Sequence, residues 1–459
     1  MARDVESYRT YRRVRTEAAD PLSLERGVRQ LLADKISGNL VGLWLLVPEH
    51  LRLGTWELLL GWTRQGPQTV APRLALQLVH EAALCVSGLR QARSLSQRGF
   101  ELVNGLPFLA SDPALHHLLN DHSVEEAQEL QVRLGLLRRA RGHFQGHLLA
   151  IDPHRLHSYS RRQTPRHTSK PDEKPVKVAQ TFFCLDPDTR QPLCFTTGSS
   201  ALTVTQATPE LLELAARILH PDRRRPLVLA DTEHYTAALV DYLAARTPFD
   251  LLVPQAATRA VRQQIQALPP ERFKRRWAGF ALAKLPYQPK RAATGPHFQL
   301  VQRSGERPEQ FHYKSFLCTR DSPEVDDLTL HFPKRWHVEE FFNAHQPLGW
   351  DRAGTLNRHI RYGQMSHALV AQAALHQLRQ RLGEPWTGWD APHLAQDLFR
   401  GADGDIRVHS DTIIVTFYKL PGAQALQHHY QDLPGKLESE GIDPRIPWLY
   451  NFKLDFRFR

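Results

Sequence analysis

Two short apolar runs in this chain each end in an aspartate, and this pattern most limits the folds that the chain can adopt. The run HLLAID ends at Asp152, and the run PLVLAD ends at Asp231. Strands that are apolar along their whole length are typical of a sheet covered on both faces. A carboxylate at the end of such a strand is costly without a partner. The two runs therefore predict buried strands of one sheet, each with an acidic side chain at its end.

The order of elements around these runs indicates a particular topology. After HLLAID, the segments VAQTFFCLD and QPLCFTTG flank the turn-like PDTR and predict a β-hairpin. Helical and strand-like segments then alternate through ATPELLELAARIL, PLVLAD, YTAALVDYLAAR, FDLLVP and ATRAVRQQIQAL. Three strands followed by helix–strand repeats is the order of an RNase H-like fold, in which an antiparallel meander continues into parallel strands joined by helical crossovers.

The remaining segments surround this α/β core and predict three domains. Residues 1–145 carry apolar positions at helical spacing, and we expect a helical N-terminal DNA-binding region there. Its segment 89–119 fits a helix-turn-helix or, equally well, part of a plain helical bundle. Residues 146–380 would form the RNase H-like catalytic domain, with a β-rich insertion at about 269–330. Residues 381–459 predict a C-terminal α+β extension.

A third acidic residue, Glu339, lies in the helical segment KRWHVEEFFNAHQ. At about 100° per residue, Arg335 falls about 40° and Gln346 about 20° from Glu339 on a helical wheel, so the three share a face. The adjacent Glu340 points about 100° away and is the weaker candidate. An adjoining apolar stripe, which would anchor the helix on the sheet, consists of Val338, Phe341 and Phe342.

Three carboxylates brought to one point suit the binding of divalent cations. Mg²⁺ takes oxygen ligands, and two such ions about 3.5–4 Å apart can activate the attacking oxygen and stabilise the leaving oxygen of a phosphodiester. Taken singly, Asp152 has the alternative role of a loop cap, Asp231 that of an N-cap for the next helix, and Glu339 that of a solvated helix residue. Their joint placement in this element order favours a metal site.

The chain resembles the DDE insertion-sequence transposases, in particular the cut-and-paste group with a β-rich insertion before the helix of the catalytic Glu. In that group a Tyr, two residues, an Arg, three residues, a Glu, six residues and a Lys mark the helix. The segment LADTEHYTAALVDYL resembles the family's second-Asp region, and AIDPHRLHSYSR is a looser match to the first. The resemblance covers roughly residues 146–380. The positions that correspond to the helix motif are Phe332, Arg335, Glu339 and Gln346, so two replacements remove a hydroxyl and a charge.

This resemblance implies an activity and a site. Asp152, Asp231 and Glu339 would be the catalytic residues and would bind two Mg²⁺ ions, for which Mn²⁺ can substitute. The reaction would be cleavage at transposon ends, followed by strand transfer of the freed 3′ end into target DNA. The enzyme would act on double-stranded DNA as a homodimer in a synaptic complex. The residues of the helix motif that contact DNA would be Arg335, Gln346 and Phe332.

Basic residues elsewhere favour a nucleic-acid partner. The formal net charge is +11, which favours a polyanion. Residues 272–291 hold seven Lys or Arg and no Asp or Glu, with aromatic residues interleaved, a mixture suited to backbone contact and base stacking. By the resemblance, Trp277 would stack on a flipped base; the alternative is that Trp277 belongs to the core of the insertion. Further candidates are Lys274, Arg275, Arg276, Arg155 in a basic loop predicted after Asp152, and the cluster Arg12–Arg15.

Composition indicates a compartment and leaves two alternative functions open. Four cysteines without a CxxC pair argue against a zinc ribbon and suit a reducing cytoplasm. The N-terminus lacks an apolar signal core, and the stretch Val41–Val47 is too short to span a bilayer, so we expect a cytoplasmic protein without a membrane partner. Besides a transposase, the same features allow an RNase H-like nuclease that only cleaves, or an inactive transposase-derived DNA-binding protein.

Overall fold

The computed structural model describes residues 20–38, 40–86, 98–161, 163–167, 174–221, 225–321, 323–351 and 355–459. The Arg12–Arg15 cluster, Arg162 of the predicted basic loop and the first part of segment 89–119 lie outside these residues. The chain divides into two compact units. The first comprises the described residues of Met1–Leu134, Ala344–Arg352 and Asn357–Arg459, and the second comprises those of Gly135–Asn343 and Ala353–Leu356.

Helices and strands are numbered along the described part of the chain. The helices are α1 (Pro21–Ala33), α2 (Val47–Leu53), α3 (Thr55–Thr63), α4 (Ala71–Ala83), α5 (Arg98–Val103), α6 (Asp112–Asn120), α7 (Val124–Ala140), α8 (Val204–Leu219), α9 (Ala237–Arg246), α10 (Arg259–Gln266), α11 (Glu324–Asp326), α12 (His337–His345), α13 (Arg358–Leu382), α14 (Ala391–His393), α15 (Ala423–Tyr430) and α16 (Leu433–Ser439). The strands are β1 (Ile36–Gly38), β2 (Leu148–His157), β3 (Val178–Asp186), β4 (Gln191–Ser199), β5 (Leu227–Leu229), β6 (Asp250–Pro254), β7 (Lys274–Trp277), β8 (Phe280–Tyr287), β9 (His297–Ser304), β10 (His312–Cys318), β11 (Asp403–His409), β12 (Thr412–Lys419), β13 (Arg445–Ile446) and β14 (Phe452–Phe458). Among these described helices, none has the length and apolar character needed to cross a membrane.

The second unit is built on one nine-stranded sheet, with the strand order β4-β3-β2-β5-β6-β10-β9-β8-β7. β4, β3 and β2 form the predicted antiparallel meander, and β5 and β6 continue it in parallel. Helices α8, α9 and α10 follow β4, β5 and β6 along the chain, so the predicted order of strands and helices is confirmed. Every residue of β3 is buried, as expected for a strand covered on both faces.

The predicted β-rich insertion extends this sheet instead of forming a separate body. β10 pairs antiparallel with β6, and β9, β8 and β7 follow it outward. Leu282, Leu300 and Phe316 of the insertion join Leu229 and Leu252 of the core strands in one hydrophobic cluster. Removing these side chains from water together explains why the insertion and the core share a sheet.

The expectation that a strand ends at Asp152 is wrong, because β2 continues to His157. β3 pairs with β2 as far as His157, whereas β5 pairs with β2 only as far as Ala150. The first residues of the predicted basic loop therefore lie in the strand. Pro153 has no N–H to donate, and it is tolerated because it lies in the part of β2 that pairs on one side only.

The first unit joins the N-terminal helices to the C-terminal strands. Its five-stranded sheet has the order β1-β11-β12-β14-β13, and β1 pairs with β11 through Ile36 and Ile406. The 25-residue helix α13 packs against α4 and α6. The observed division therefore differs from the predicted limits at 145 and 380, because α13 and residues 381–459 belong with the N-terminal helices.

A buried ion-pair network links three helical segments of the first unit. Glu49 of α2 is fully buried and accepts hydrogen bonds from Arg52 at 3.0 Å and from Arg381 of α13 at 2.9 Å. Arg52 is also buried and pairs with Glu440, just after α16, at 2.6 Å. The two guanidiniums offset part of the cost of burying the Glu49 carboxylate, and burial still raises the pKa of Glu49.

Replacing Arg52 by Met should lower the free energy of unfolding of the first unit by about 3–5 kcal/mol, because Glu49 loses a partner where water is excluded. Arg133→Ala removes an exposed pair with Glu129 and should cost less than about 1 kcal/mol. Urea titration of both variants beside the parent protein measures the difference. Equal, small effects would show that the buried network does not stabilise the unit.

Candidate active site

Asp152 and Asp231 lie at matching positions of two neighbouring parallel strands. The last paired residues of β2 and β5 are Ala150 and Leu229, and each aspartate follows two residues later along its own segment. Parallel strands point their carboxyl ends to the same edge of a sheet. The two acidic side chains therefore meet at one edge of the nine-stranded sheet, and the pKa of Asp152 responds to the charge of Asp231.

The turn after β5 holds the Asp231 carboxylate. Its Oδ1 accepts a hydrogen bond from the N–H of Glu233 at 3.1 Å and lies 2.6 Å from Nδ1 of the buried His234. Asp231 therefore caps the following 3₁₀ turn, whereas Thr236 caps helix α9. Burial alone would raise the pKa of Asp231, but the hydrogen bond and charge of His234, together with Arg335, outweigh burial and lower that pKa below its usual value.

The helix that carries Glu339 is anchored by the predicted apolar stripe. Val338, Phe341 and Phe342 are buried. The Phe342 ring stacks on His154 of β2 at 4.4 Å between centroids and meets Phe183 of β3 edge-on at 4.9 Å. The expectation that this stripe fixes the helix on the sheet is confirmed, and Glu339 stands on the neighbouring, half-buried face of α12.

The turn between β3 and β4 gives the helix a second anchor, which sequence reasoning missed. The Nδ1 atom of His337 lies 2.7 Å from the carbonyl oxygen of Pro187. Lys334 donates to Asp188 at 2.6 Å, and Arg190 lies 3.5 Å from the carboxylate of Glu340. The acidic residue within the turn PDTR was the only sequence signal for this contact, since pairing across such a distance in the chain leaves no periodic pattern.

Arg335 lies between two of the three carboxylates. Its Nη1 atom is 3.6 Å from Oδ1 of Asp152, and its Nη2 atom is 3.4 Å from Oε1 of Glu339. The side chain is 12% exposed, and its guanidinium lies 5.2 Å from the centre of the Trp336 ring. Arg335 and Glu339 thus share a face as predicted, although Arg335 precedes α12 in the 3₁₀ helix Phe332–Trp336.

Among the three acidic residues, Asp152 has a strongly raised pKa. Burial raises its pKa to about 7, the charges of Asp231 and Glu339 add to that rise, and Arg335 opposes it. At neutral pH this carboxyl is therefore partly protonated. An additional positive charge at the cluster would lower its pKa and hold it ionised.

Arg155, predicted to contact DNA, is engaged within the protein. It lies on β2 next to the cluster, and its Nη1 atom donates to Glu233 at 3.0 Å. Its Nε atom donates to Gln180 of β3 at 2.9 Å. These contacts tie the turn after β5 to β2 and β3, and DNA contact by Arg155 stays a prediction.

The donor set suits a hard divalent cation in charge and in atom type. Asp152, Asp231 and Glu339 supply carboxylate oxygens, which Mg²⁺ prefers. Within the described ranges, no three His, Cys, Asp or Glu side chains converge closely enough to form a ready metal site. Because Arg335 stands between Asp152 and Glu339, a cation held by both of them requires the guanidinium to move.

The two other residues of the helix motif, Gln346 and Phe332, lie outside helix α12. The helix α12 ends at His345, and Gln346 begins the 3₁₀ turn Gln346–Leu348, so the helical wheel does not extend to it. Phe332 is half-buried and meets Phe316 edge-on at 4.9 Å between ring centroids. Phe332 is therefore a packing residue of the insertion boundary, and a DNA contact by either residue stays a prediction.

The basic segment of the insertion forms the outer edge of the sheet. All four residues of β7 (Lys274, Arg275, Arg276 and Trp277) are exposed. The Trp277 side chain is 49% exposed and stacks on Phe280 at 4.2 Å, so its alternative assignment to the core of the insertion is wrong. Arg276 pairs with Glu324 at 2.6 Å. The edge thus presents a flat aromatic surface beside basic side chains.

Comparisons with known proteins add one distant similarity. No protein-family model matches this chain, and no curated protein sequence matches it significantly. Among solved structures, it is similar to a piggyBac transposase in a synaptic complex with hairpin DNA, at 11% sequence identity and a TM-score of 0.39. The superposition covers 80% of this chain and 82% of that one. At this TM-score the similarity does not establish a common fold, so function has to be inferred from the site.

In the presence of a chelator, Asp152→Asn should stabilise the second unit at about pH 8 and change little at about pH 4. The pKa of Asp152 is raised from 3.8 to about 7, so the folded state binds this proton more tightly than the unfolded state. The resulting stability is fully present below the unfolded pKa and is lost as the pH rises through 7. Urea titration at both pH values should show a gain of about 1–3 kcal/mol at the higher pH.

The matched control is Glu340→Gln on the exposed side of α12, which should change the free energy of unfolding by less than about 0.5 kcal/mol at either pH. Destabilisation by Asp152→Asn at the higher pH would contradict the raised pKa.

Proposed function

We propose that this chain is a metal-dependent DDE transposase with an RNase H-like core, which cleaves DNA at transposon ends and transfers the freed strand into target DNA. One observation carries the proposal. Asp152 lies on β2, Asp231 follows the adjacent parallel strand β5, and Glu339 lies on a helix whose Arg335 neighbour contacts both Asp152 and Glu339, at 3.6 and 3.4 Å.

The strand order supports the RNase H-like assignment. Counted along the chain, the first five strands of the second unit lie in the order 3-2-1-4-5, with the first three antiparallel and the last two parallel to the central one. Asp152 lies on the first of these strands, and Asp231 lies two residues after the end of the fourth. The Glu339 helix follows the four added strands of the insertion, as in the transposases that the sequence resembles.

Each acidic residue would have a distinct part in holding two Mg²⁺ ions, or Mn²⁺ in their place. Asp152 would offer its carboxylate from a rigid strand, and Asp231 would offer Oδ2, since the turn occupies Oδ1. Glu339 would approach from the helix. When bound, the two ions would neutralise the phosphate, activate the attacking oxygen and stabilise the leaving oxygen.

The two reaction steps require ionised acidic residues and a cationic side chain near the phosphate. Cleavage adds water to a backbone phosphorus and breaks its bond to the 3′ oxygen, which leaves as a hydroxyl. In strand transfer the oxygen of that hydroxyl attacks the phosphorus of a target phosphodiester, the bond from this phosphorus to the target's own 3′ oxygen breaks, and that oxygen leaves as a hydroxyl. The acids must remain ionised for both steps, and a nearby cation must meet the phosphate; Arg335, once it leaves Asp152 and Glu339, is within reach of such a group.

The surface of the insertion supports double-stranded DNA as the partner. Lys274, Arg275 and Trp277 on the exposed edge strand combine backbone contact with a stacking surface. The net charge of +11 adds a long-range attraction for the polyanion. The pairing of two transposon ends by a homodimer is part of the same proposal.

A second candidate function is DNA binding without cleavage. It is favoured by the ion pairs of Arg335, which neutralise Asp152 and Glu339 from within the protein, and by the lack of a ready three-ligand metal site among the described residues. The two functions differ in whether divalent metal produces strand breaks.

Incubation of the protein with a plasmid that carries the DNA flanking its own gene should give Mg²⁺- or Mn²⁺-dependent breaks at the element's ends. Asp152→Asn, Asp231→Asn and Glu339→Gln should each lower the cleavage rate by at least about a thousandfold, because one carboxylate fewer holds the ions. DNA binding should be kept in all three. Gel analysis of the plasmid and a mobility-shift assay give the two readouts.

Glu340→Gln, at an exposed position next to Glu339 on the same helix, is the matched control and should cleave normally. Binding without metal-dependent cleavage by the parent protein would reject the transposase in favour of the second candidate. Normal cleavage by all three acid variants would reject the metal site.

Arg335→Ala, made in the Asp231→Asn background to prevent cleavage, should weaken DNA binding and make the salt dependence shallower by about one unit of slope, because one phosphate contact is lost. Fluorescence anisotropy between about 50 and about 200 mM salt measures the slope. Arg246→Ala, at the exposed end of α9, is the control and should keep the parental slope. An unchanged slope for Arg335→Ala would assign this arginine to the protein's internal ion pairs alone.

A further inference from the structure

A chain of side-chain hydrogen bonds runs from the turn after Asp231 into the insertion. Tyr235 ends the 3₁₀ turn that Asp231 caps. Its hydroxyl lies 3.1 Å from the hydroxyl of Tyr287, the last residue of β8. The Tyr235 hydroxyl also accepts a hydrogen bond from Nε2 of Gln255, just after β6, at 3.2 Å.

The chain continues through two buried amides. Oε1 of Gln255 accepts from Nε2 of Gln299 on β9 at 2.8 Å, and Oε1 of Gln299 accepts from Nε2 of Gln264 on α10 at 3.4 Å. Gln255 is 6% exposed and Gln299 is fully buried. We call these five residues (Tyr287, Tyr235, Gln255, Gln299 and Gln264) the Tyr–Gln chain. It links the proposed metal-site turn to β8, β9 and α10.

The burial of Gln255 and Gln299 makes this chain sensitive to the loss of their hydrogen-bond partners. A buried polar group left without a partner costs about 1–3 kcal/mol, which exceeds the net gain of one hydrogen bond. Removing the Tyr235 hydroxyl would leave the Nε2 atom of Gln255 short of a partner at the junction of the core and the insertion. The chain therefore specifies one position of the turn relative to the inserted strands.

The same turn transmits this position to Asp231. The N–H of His234 donates to the carbonyl of Asp231 at 3.1 Å, and the N–H of Tyr235 donates to the carbonyl of Thr232 at 3.1 Å. The Asp231 carboxylate contacts both Glu233 and His234 within the turn. These hydrogen bonds connect Tyr235 to the Asp231 carboxylate within a turn of five residues.

We infer that Tyr235 is a positioning residue, which holds Asp231 in place by tying its turn to the inserted strands through the Tyr–Gln chain. The insertion then contributes to the geometry of the acidic cluster, besides any contact with DNA. The effect on metal binding rests on the proposed function, whereas the mechanical link between Tyr287 and the turn does not.

The decisive experiment is amide hydrogen exchange on the full chain, comparing Tyr235→Phe, Tyr287→Phe and the parent protein. Exchange at the amides of Glu233, Tyr235 and Thr236 should accelerate about fivefold in both variants, since loss of one hydrogen bond lowers the cost of local opening by about 1 kcal/mol. Tyr242→Phe is the matched control, because the hydroxyl of Tyr242 donates to the carbonyl of Pro209 on α8, at 3.4 Å, and is not a member of the Tyr–Gln chain. It should leave exchange in the turn unchanged.

Calorimetric titration with Mn²⁺, without DNA, provides the second readout. Tyr235→Phe should weaken Mn²⁺ binding about tenfold, as is typical when a group that orients a metal ligand is removed, and Tyr242→Phe should not. Unchanged exchange in the turn of both Tyr235→Phe and Tyr287→Phe would overturn the inference. If Tyr235→Phe exchanges faster in the turn but binds Mn²⁺ as tightly as the parent protein does, Tyr235 does not position Asp231. Failure of the parent protein to bind Mn²⁺ would reject the proposed function, and the exchange result would still decide whether the link exists.

Discussion

The parallel pairing of β2 with β5, which stops at Ala150 and Leu229, is the constraint on which the candidate site depends. Both strands leave this pairing at the same level, so Asp152 and Asp231 follow side by side. β2 then continues against β3 alone and keeps Asp152 on extended backbone. The segment after β5 instead enters a 3₁₀ turn, and Asp231 caps this turn. The Asp152 carboxylate is therefore carried by a strand, and the Asp231 carboxylate by the start of a turn.

Charge compensation decides how such a cluster is tolerated. His234 and the turn stabilise the charge of Asp231, and Arg335 is shared between Asp152 and Glu339. The pKa of Asp152 nevertheless rises to about 7, because this carboxyl is buried near two like charges. The protein, with a net charge of +11, therefore keeps a local acidic centre in which Arg335 and His234 supply the compensating positive charge. Such a centre is suited to exchange an internal cation for an external one.

Local sequence patterns correctly predicted much of the second unit, which contains the acidic residues. The hairpin of β3 and β4, the order of strands and helices, and the buried stripe of Val338, Phe341 and Phe342 follow from periodicity and turn residues, which act over a few positions. The predicted end of the strand at Asp152 was wrong because the partner strand β3, and not the polarity of the segment, determines where β2 stops. The prediction that Gln346 lies on the helix of Glu339 was wrong because helical periodicity does not show where a helix ends.

By itself, the sequence determined which acidic residues stand beside buried strands and on an amphipathic helix, because burial requires apolar side chains at regular spacing. Only the tertiary structure decided that Arg335 lies between Asp152 and Glu339, that the insertion continues the sheet of the core, and that Tyr235 joins the two. These features depend on contacts between residues far apart in the chain. No local pattern records such contacts, since each partner obeys only the spacing of its own element.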